Sequence, residues 1–120
     1  MAGTALVVDD HPSFRRLARK LLETAGYLVV DEAGDGAAAL ASVRVFRPDI
    51  VLLDVLLPDT TGFELAETLM SDPAAPVVVL TSSRSESDFE SSIARTSARG
   101  FISKRDLTEA RLTALLEGVA

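Results

Sequence analysis

The chain has no cysteine and no tryptophan, and only one histidine and one tyrosine. Without cysteine there are no disulfides, no thiol catalysis and no thiolate zinc ligands. With His11 as the sole imidazole, a structural zinc site lacks its usual ligand set. Long apolar runs are also missing. None approaches the roughly 20 residues that cross a bilayer, and no signal peptide precedes Val7. A soluble cytoplasmic protein with no membrane association is expected. Positive charge is scarce as well: 12 Lys+Arg stand against 18 Asp+Glu, a net charge of −6. A domain of that sign lacks the electrostatic footprint for holding nucleic acid by itself. If the protein acts on DNA, a separate output domain must do the binding. There are no repeats, low-complexity segments or linkers. The 120 residues, 48% of them hydrophobic, therefore read as one globular domain over 1–120.

The most informative stretch runs from Ile50 to Gly62. Ile50-Val51-Leu52-Leu53 reads as a strand buried on both faces, and it delivers one carboxylate, Asp54, to its carboxyl end. Pro58 and Gly62 break the pattern before a helix that runs from near Gly62 to about Met70. Upstream, Ala5-Leu6-Val7-Val8 is a first strand ending in Asp9-Asp10. Pro12 opens a helix over about 12–25 with Phe14, Leu17, Ala18, Leu21 and Leu22 at helical spacing, stopped by Gly26. Tyr27–Val30 reads as a second strand at a sheet edge. Asp35 caps a small-residue helix to about Phe46. Val77–Leu80 is another doubly buried strand, ending in Thr81. The segment from Ser82 to Arg99 reads as a serine-rich helix anchored by little more than Phe89 and Ile93. Phe101–Ser103 is a short fifth strand ending in Lys104. Asp106 and Glu109 suggest a capping box for a last helix carrying Leu107, Leu112, Leu115 and Leu116.

Five strands alternating with five helices imply an α/β fold, a single doubly wound parallel sheet. At this length the expected strand order is 2-1-3-4-5, flavodoxin-like, with a switch point between strands 1 and 3. Asp9 and Asp10 then stand beside Asp54. Two like charges about 4 Å apart repel by roughly 4 kcal/mol at an effective dielectric near 20. Three carboxylates in one place therefore call for a cation, and oxygen ligands favour Mg²⁺. Lys104 adds a fixed positive charge and Thr81 a hydroxyl donor. Such a set suits phosphoryl transfer, with Asp54 as in-line nucleophile. Singly, each residue has a plainer explanation: an Asx turn at Asp9-Asp10, a turn acid at Asp54, a loop hydroxyl at Thr81, a solvated Lys104, and His11 as a bystander at a helix start. Their joint arrival at the ends of strands 1, 3, 4 and 5 favours a site.

These motifs together, Val7-Val8-Asp9-Asp10, Leu53-Asp54 through Gly62, Leu80-Thr81 and Gly100-Phe101-Ile102-Ser103-Lys104, resemble the receiver domains of two-component response regulators, the CheY-like family. The resemblance spans the whole chain, and the opening Asp-Asp-His-Pro is similar to the NarL/FixJ subfamily. It implies Asp54 as phosphoacceptor, Asp9, Asp10, Asp54 and the Leu56 backbone carbonyl as Mg²⁺ ligands, Thr81 and Lys104 as partners of the phosphoryl group, and Thr81 with Phe101 as the switch pair. It also implies a sensor histidine kinase as donor, homodimerisation on phosphorylation, and transcriptional output through a DNA-binding domain elsewhere. Arg105 stands where the family commonly has proline after its lysine, which removes the reason to expect a cis peptide. The Thr81–Lys104 spacing is about one residue longer than usual, so Ser82 is the alternative hydroxyl, although the distance from Pro76 favours Thr81.

Two other classes are weighed. A magnesium-dependent phosphatase with an aspartyl nucleophile would want a second acid two residues on, where this chain has Leu56. An FMN-binding flavodoxin-like module would want a hydroxyl- and glycine-rich phosphate loop after strand 1, where Asp9-Asp10 would repel the ligand.

Overall fold

Doubly buried strands announce themselves as uninterrupted aliphatic runs, and the runs here assemble as expected. The computed structural model describes residues 3–117, so the ends of the 1–120 unit lie outside the described residues. Within them the elements are β1 (Gly3–Val8), α1 (Pro12–Thr24), β2 (Tyr27–Ala33), α2 (Gly36–Phe46), β3 (Ile50–Asp54), α3 (Gly62–Met70), β4 (Val77–Ser82), α4 (Glu90–Arg95), β5 (Gly100–Ser103) and α5 (Glu109–Leu116). The strands form one sheet in the order β2-β1-β3-β4-β5, and every pairing is parallel.

Alternation along each strand sends side chains to opposite faces, and two cores result. Ala5, Val7, Ile50, Leu52, Val79 and Ile102 face Ala18 and Leu22 of α1 and Leu112 and Leu116 of α5. Leu6, Val8, Val51, Leu53, Val78 and Leu80 face Ala39 of α2 and Leu65, Ala66 and Leu69 of α3. Helices on both faces leave β3 buried along its whole length. The central strands thus carry their polar termini to one edge of a rigid slab.

Three expectations are corrected. First, β2 continues three residues past Val30, to Ala33. A bulge lets Ala5 pair with Val29 while Leu6 pairs with Asp31, so Val30 is skipped. The bulge shifts the alternation by one residue. Asp31 turns to α2, where it accepts a hydrogen bond from the Ser42 hydroxyl, and Glu32 turns to α1, where Arg15 and Arg19 pair with it at 3.1 and 2.8 Å. The two charges that look like a strand end are both partnered.

Second, the segment 82–99 is not one helix. A 3-10 turn at Glu86–Phe89, closed by a reciprocal Ser85–Asp88 capping box, precedes the six-residue α4, and Thr96 leaves helical geometry at its end. The serines and threonines here bond locally, as Ala98 N does to the Thr96 hydroxyl at 3.2 Å, and compete with helix continuation. Third, the N-cap of α5 is Thr108, which accepts from Arg111 N at 3.1 Å, while Asp106 belongs to a 3-10 turn at Lys104–Asp106. Leu107 is buried ahead of the helix rather than in it.

Candidate functional site

Residues Asp9, Asp54 and Thr81 lie on the same face of the sheet, because each continues the α1/α5-facing parity of its strand. Asp54 and Thr81 are direct register partners across β3 and β4. All three are at most 4% exposed. Lys104, one residue past β5, reaches across this edge. Its Nζ is 2.7 Å from Asp9 Oδ2 and 3.3 Å from Asp54 Oδ2. The Asp54 contact is a hydrogen bond. The Asp9 contact is the shorter of the two and is an ion pair between a largely buried ammonium and a fully buried carboxylate.

The loop after β3 is tied down on every side. Val55 N donates to Thr81 O at 2.8 Å, Gly62 N to Val55 O at 2.6 Å, and Leu57 N to Thr60 O at 3.2 Å. Leu56 N donates to Asp54 Oδ1 at 3.2 Å, while its side chain is 46% exposed beside the site. Gly62 is required by close approach. A Cβ there would collide with the Asp54 carbonyl oxygen and stand 2.9 Å from the Val55 Cα. Asp59, from the same loop, accepts from Gly36 N and Ala37 N at 2.8 and 3.0 Å. Those bonds, Gly36 first, hold its carboxyl below the usual range, and they staple the loop to the amino end of α2.

Electrostatics mark Asp54. Burial first, and the charge of Asp9 second, push its carboxyl from 3.8 up to about 6, against the pull of Lys104. Burial works against the Lys104 ammonium too, but Asp9 and Asp54 more than offset it and hold it above the ordinary lysine value. Asp10 is nearby and partly exposed. Carboxylate oxygens of Asp9, Asp10 and Asp54 and a ring nitrogen of His11 lie within 4.8 Å of one another. Three acids against one ammonium leave net negative charge, and an oxygen-rich donor set of that charge fits a hard divalent cation. The Thr81 hydroxyl is buried with no partner, whereas Ser82 Oγ accepts from Arg84 N at 3.1 Å. Of the two hydroxyls, only that of Thr81 is unengaged and on the Asp54 face.

Phe101 lies on the opposite face, half-buried against the second core. Its ring packs 6.1 Å from Phe89, which is 5.8 Å from Phe63. Two contacts carried no local signal in the sequence, and a third departs from the expected bystander role of His11. The Phe14 ring lies under Lys104 Nζ at 4.4 Å, a cation–π distance. Arg15 Nη1 donates to the Asp9 carbonyl at 2.6 Å. His11 stands at Asp9 and Asp10 rather than apart from them.

Comparison with known proteins agrees with this architecture. The DNA-binding response regulator MtrA of Mycolicibacterium smegmatis is 42% identical over 83 residues, 68% of this chain and 35% of MtrA. The DNA-binding transcriptional activator EvgA of Escherichia coli is 29% identical over 102 residues, 85% of this chain and 50% of EvgA. Among the first curated relatives the chain spans between 24% and 53% of their length. The solved signal receiver domain of the response regulator NarL from Mycobacterium tuberculosis is 32% identical with a TM-score of 0.81, covering 96% of this chain and 97% of that one. The sequence profile of the response regulator receiver domain matches residues 5–117. On that match, spanning nearly the whole chain, the protein belongs to the response regulator receiver domain family.

Proposed function

We propose that Asp54 is the phosphoacceptor of a two-component switch whose donor is the phosphohistidine of a sensor histidine kinase. A carboxylate oxygen of Asp54 attacks phosphorus in line, the P–N bond of the donor breaks, and the electron pair returns to the donor's imidazole. Lys104 moves from carboxylate to phosphoryl oxygen, and the Thr81 hydroxyl donates to another. Asp9, Asp10, Asp54 and the Leu56 backbone carbonyl are the residues that would hold Mg²⁺. Bound there, the ion would supply positive charge against the phosphoryl oxygens.

The observation that carries this reading is the contrast of buried charge and unmet donor at one strand edge. Asp54 is pressed between a desolvating environment and Asp9, with its carboxyl raised to about 6, beside a buried Thr81 hydroxyl that has no partner. A phosphoryl group on Asp54 would satisfy that hydroxyl. The phosphatase reading lacks its second acid, since Leu56 offers none. The flavodoxin reading would set a phosphate against Asp9 and Asp10. The protein acts as a switch rather than a turnover enzyme. Because MtrA and EvgA are named as DNA-binding regulators, we take its output to be transcription, through a domain outside these residues, with homodimerisation on phosphorylation and a cytoplasmic location. No helix among the described residues is long and apolar enough to cross a membrane.

The test is labelling with acetyl phosphate. Asp54 should be labelled in the presence of Mg²⁺ and not in excess chelator, and Asp54→Asn should abolish labelling. Label that persists in that variant, or full labelling without divalent ions, overturns the assignment.

A further inference from the structure

Pro48 and Pro76 stand just before β3 and β4, at the end of the sheet opposite Asp54. There, between the carboxyl-terminal turns of α2 and α3, lies a hollow of about 290 Å³. Its apolar lining comes from Leu40 and Val43 of α2 and Leu69 of α3. Pro48, Pro73 and Pro76 line it too, so three of the chain's five prolines surround one hollow. Each proline fixes its own φ. The walls are therefore shaped before anything enters, as in pre-formed small-molecule sites.

Charge is distributed unevenly around this hollow. Arg44 and Arg47 line it, against one acid, Asp72. Asp72 accepts from Ala74 N at 2.8 Å, and its other oxygen is 3.9 Å from Arg47, beyond hydrogen-bond distance. Arg44 has no ion pair among the described residues. In a chain of net charge −6, this is a local excess of positive charge beside apolar walls. Arg47 adds a second, independent sign. Its φ of 47° and ψ of 57° are left-handed, and no other non-glycine residue among those described has a positive φ. Helices often close on such a residue, but glycine or asparagine usually fills the place, because a Cβ there is strained. A long cationic side chain held at a strained position beside an open hollow suggests that the side chain itself is used.

We infer that this hollow binds a small organic acid with an apolar body. The carboxylate pairs with Arg44 and Arg47, and the body lies on Leu40, Val43 and Leu69. A guanidinium offers paired N–H donors that match the two oxygens of a carboxylate. Size narrows the ligand further. A closed cavity of about 150 Å³ holds a benzene ring, so the volume here suits a ring with a short acid chain. Inorganic phosphate would meet the arginines but leave the apolar walls wet, and an amine would meet like charge. The inference does not draw on the role of Asp54, so either reading can fail without the other.

Titration of the full chain with phenylacetate, followed by amide proton–nitrogen correlation NMR, tests this directly. Phenethylamine and inorganic phosphate are the comparison probes. Phenylacetate should saturate with a Kd of about 1 mM or below, as a ligand of that size can. The shifts should be confined to the carboxyl-terminal turns of α2 and α3 and the segments that follow them. Phenethylamine and phosphate should bind at least about fivefold more weakly. Arg44→Gln should weaken phenylacetate by about fivefold or more. Arg47→Gly places the ordinary residue at the left-handed position, so it should weaken binding as much while the urea midpoint stays the same or rises. Should Arg47→Gly lose stability, Arg44→Gln decides alone, because Arg44 is exposed and its loss disturbs no packing. Spectra that do not move at about 10 mM phenylacetate overturn the inference. So does phenethylamine or phosphate binding as tightly, or wild-type affinity in Arg44→Gln.

Discussion

Asp54 carries an electrostatic burden that can be measured without any phosphodonor. Its carboxyl is raised by burial and by Asp9 from 3.8 to about 6. A group whose folded pKa lies above its unfolded one binds an extra proton in the folded state between those values. Ionising it therefore costs stability above about pH 6, and the cost vanishes as pH falls toward about 4. A displacement of that size, with the pull of Lys104 already in it, corresponds to about 3 kcal/mol. In chelator, Asp54→Asn should be more stable than wild type by about 1–3 kcal/mol at about pH 8, with the difference shrinking to nothing near about pH 4. Urea denaturation across that range checks both the sign and the slope. A variant no more stable at the alkaline end would mean that Lys104 fully compensates the buried charge. The same lysine is braced on its other side by the Phe14 ring, 4.4 Å from Nζ. Its ammonium is thus held between two carboxylates and an aromatic face.

Among the elements, the loop from β3 to α3 is the most constrained, and Gly62 is the reason. Adding a methyl there drives it into the Asp54 carbonyl and the Val55 Cα, and backbone cannot rotate away as a side chain would. Gly62→Ala should cost about 1–3 kcal/mol by overpacking and slow labelling of Asp54, because the loop that presents the carboxylate must shift. Gly34→Ala is the control, since its methyl would meet only the Arg15 guanidinium, at 3.6 Å; equal effects from both would remove Gly62 from the site. The aliphatic runs of β1, β3 and β4 were legible in the sequence because strands covered on both faces leave no polar interruption. The acids and the lysine at their ends were legible because each directly follows such a run. The continuation of β2 was not, since the partners of Asp31 and Glu32 lie on two different helices. Nor was the break in 82–99, where serine bonding to its own neighbours outweighs weak periodicity. Phe14 under Lys104 and Asp59 on the amides of α2 are contacts between distant parts of the chain, and no local pattern encodes them. Thr108 stands two residues from Asp106, the residue that the capping-box pattern selects. Either can cap in principle, and the tight turn at Lys104–Asp106 decides it.

At the scale of the molecule, the two faces of the sheet divide the labour. The α1/α5 face ends in the charged cluster, and the other ends in Phe101, whose ring leans on Phe89 and through it on Phe63. Neither the 3-10 turn nor α4 contains a buried residue, so this is the region least able to resist rearrangement. A phosphoryl oxygen drawing in the Thr81 hydroxyl makes a charge-assisted bond of about 1.5–3 kcal/mol, enough to shift a two-state equilibrium roughly 10- to 150-fold. Phosphorylation should therefore change amide exchange across 84–99, and Thr81→Ala should still accept the phosphoryl group while losing most of that change. A full response in Thr81→Ala would remove Thr81 from the coupling. The register of the sheet has one more consequence. Asp54 and Lys104 are 50 residues apart, and the cluster draws on the ends of β1, β3, β4 and β5. No fragment emerging from a ribosome can present the cluster until the fifth strand has been made and has found its place. On the proposed reading, competence to be modified then reports that all five strands of this sheet have been made and have found their places, and a chain truncated before β5 should be silent rather than partly active.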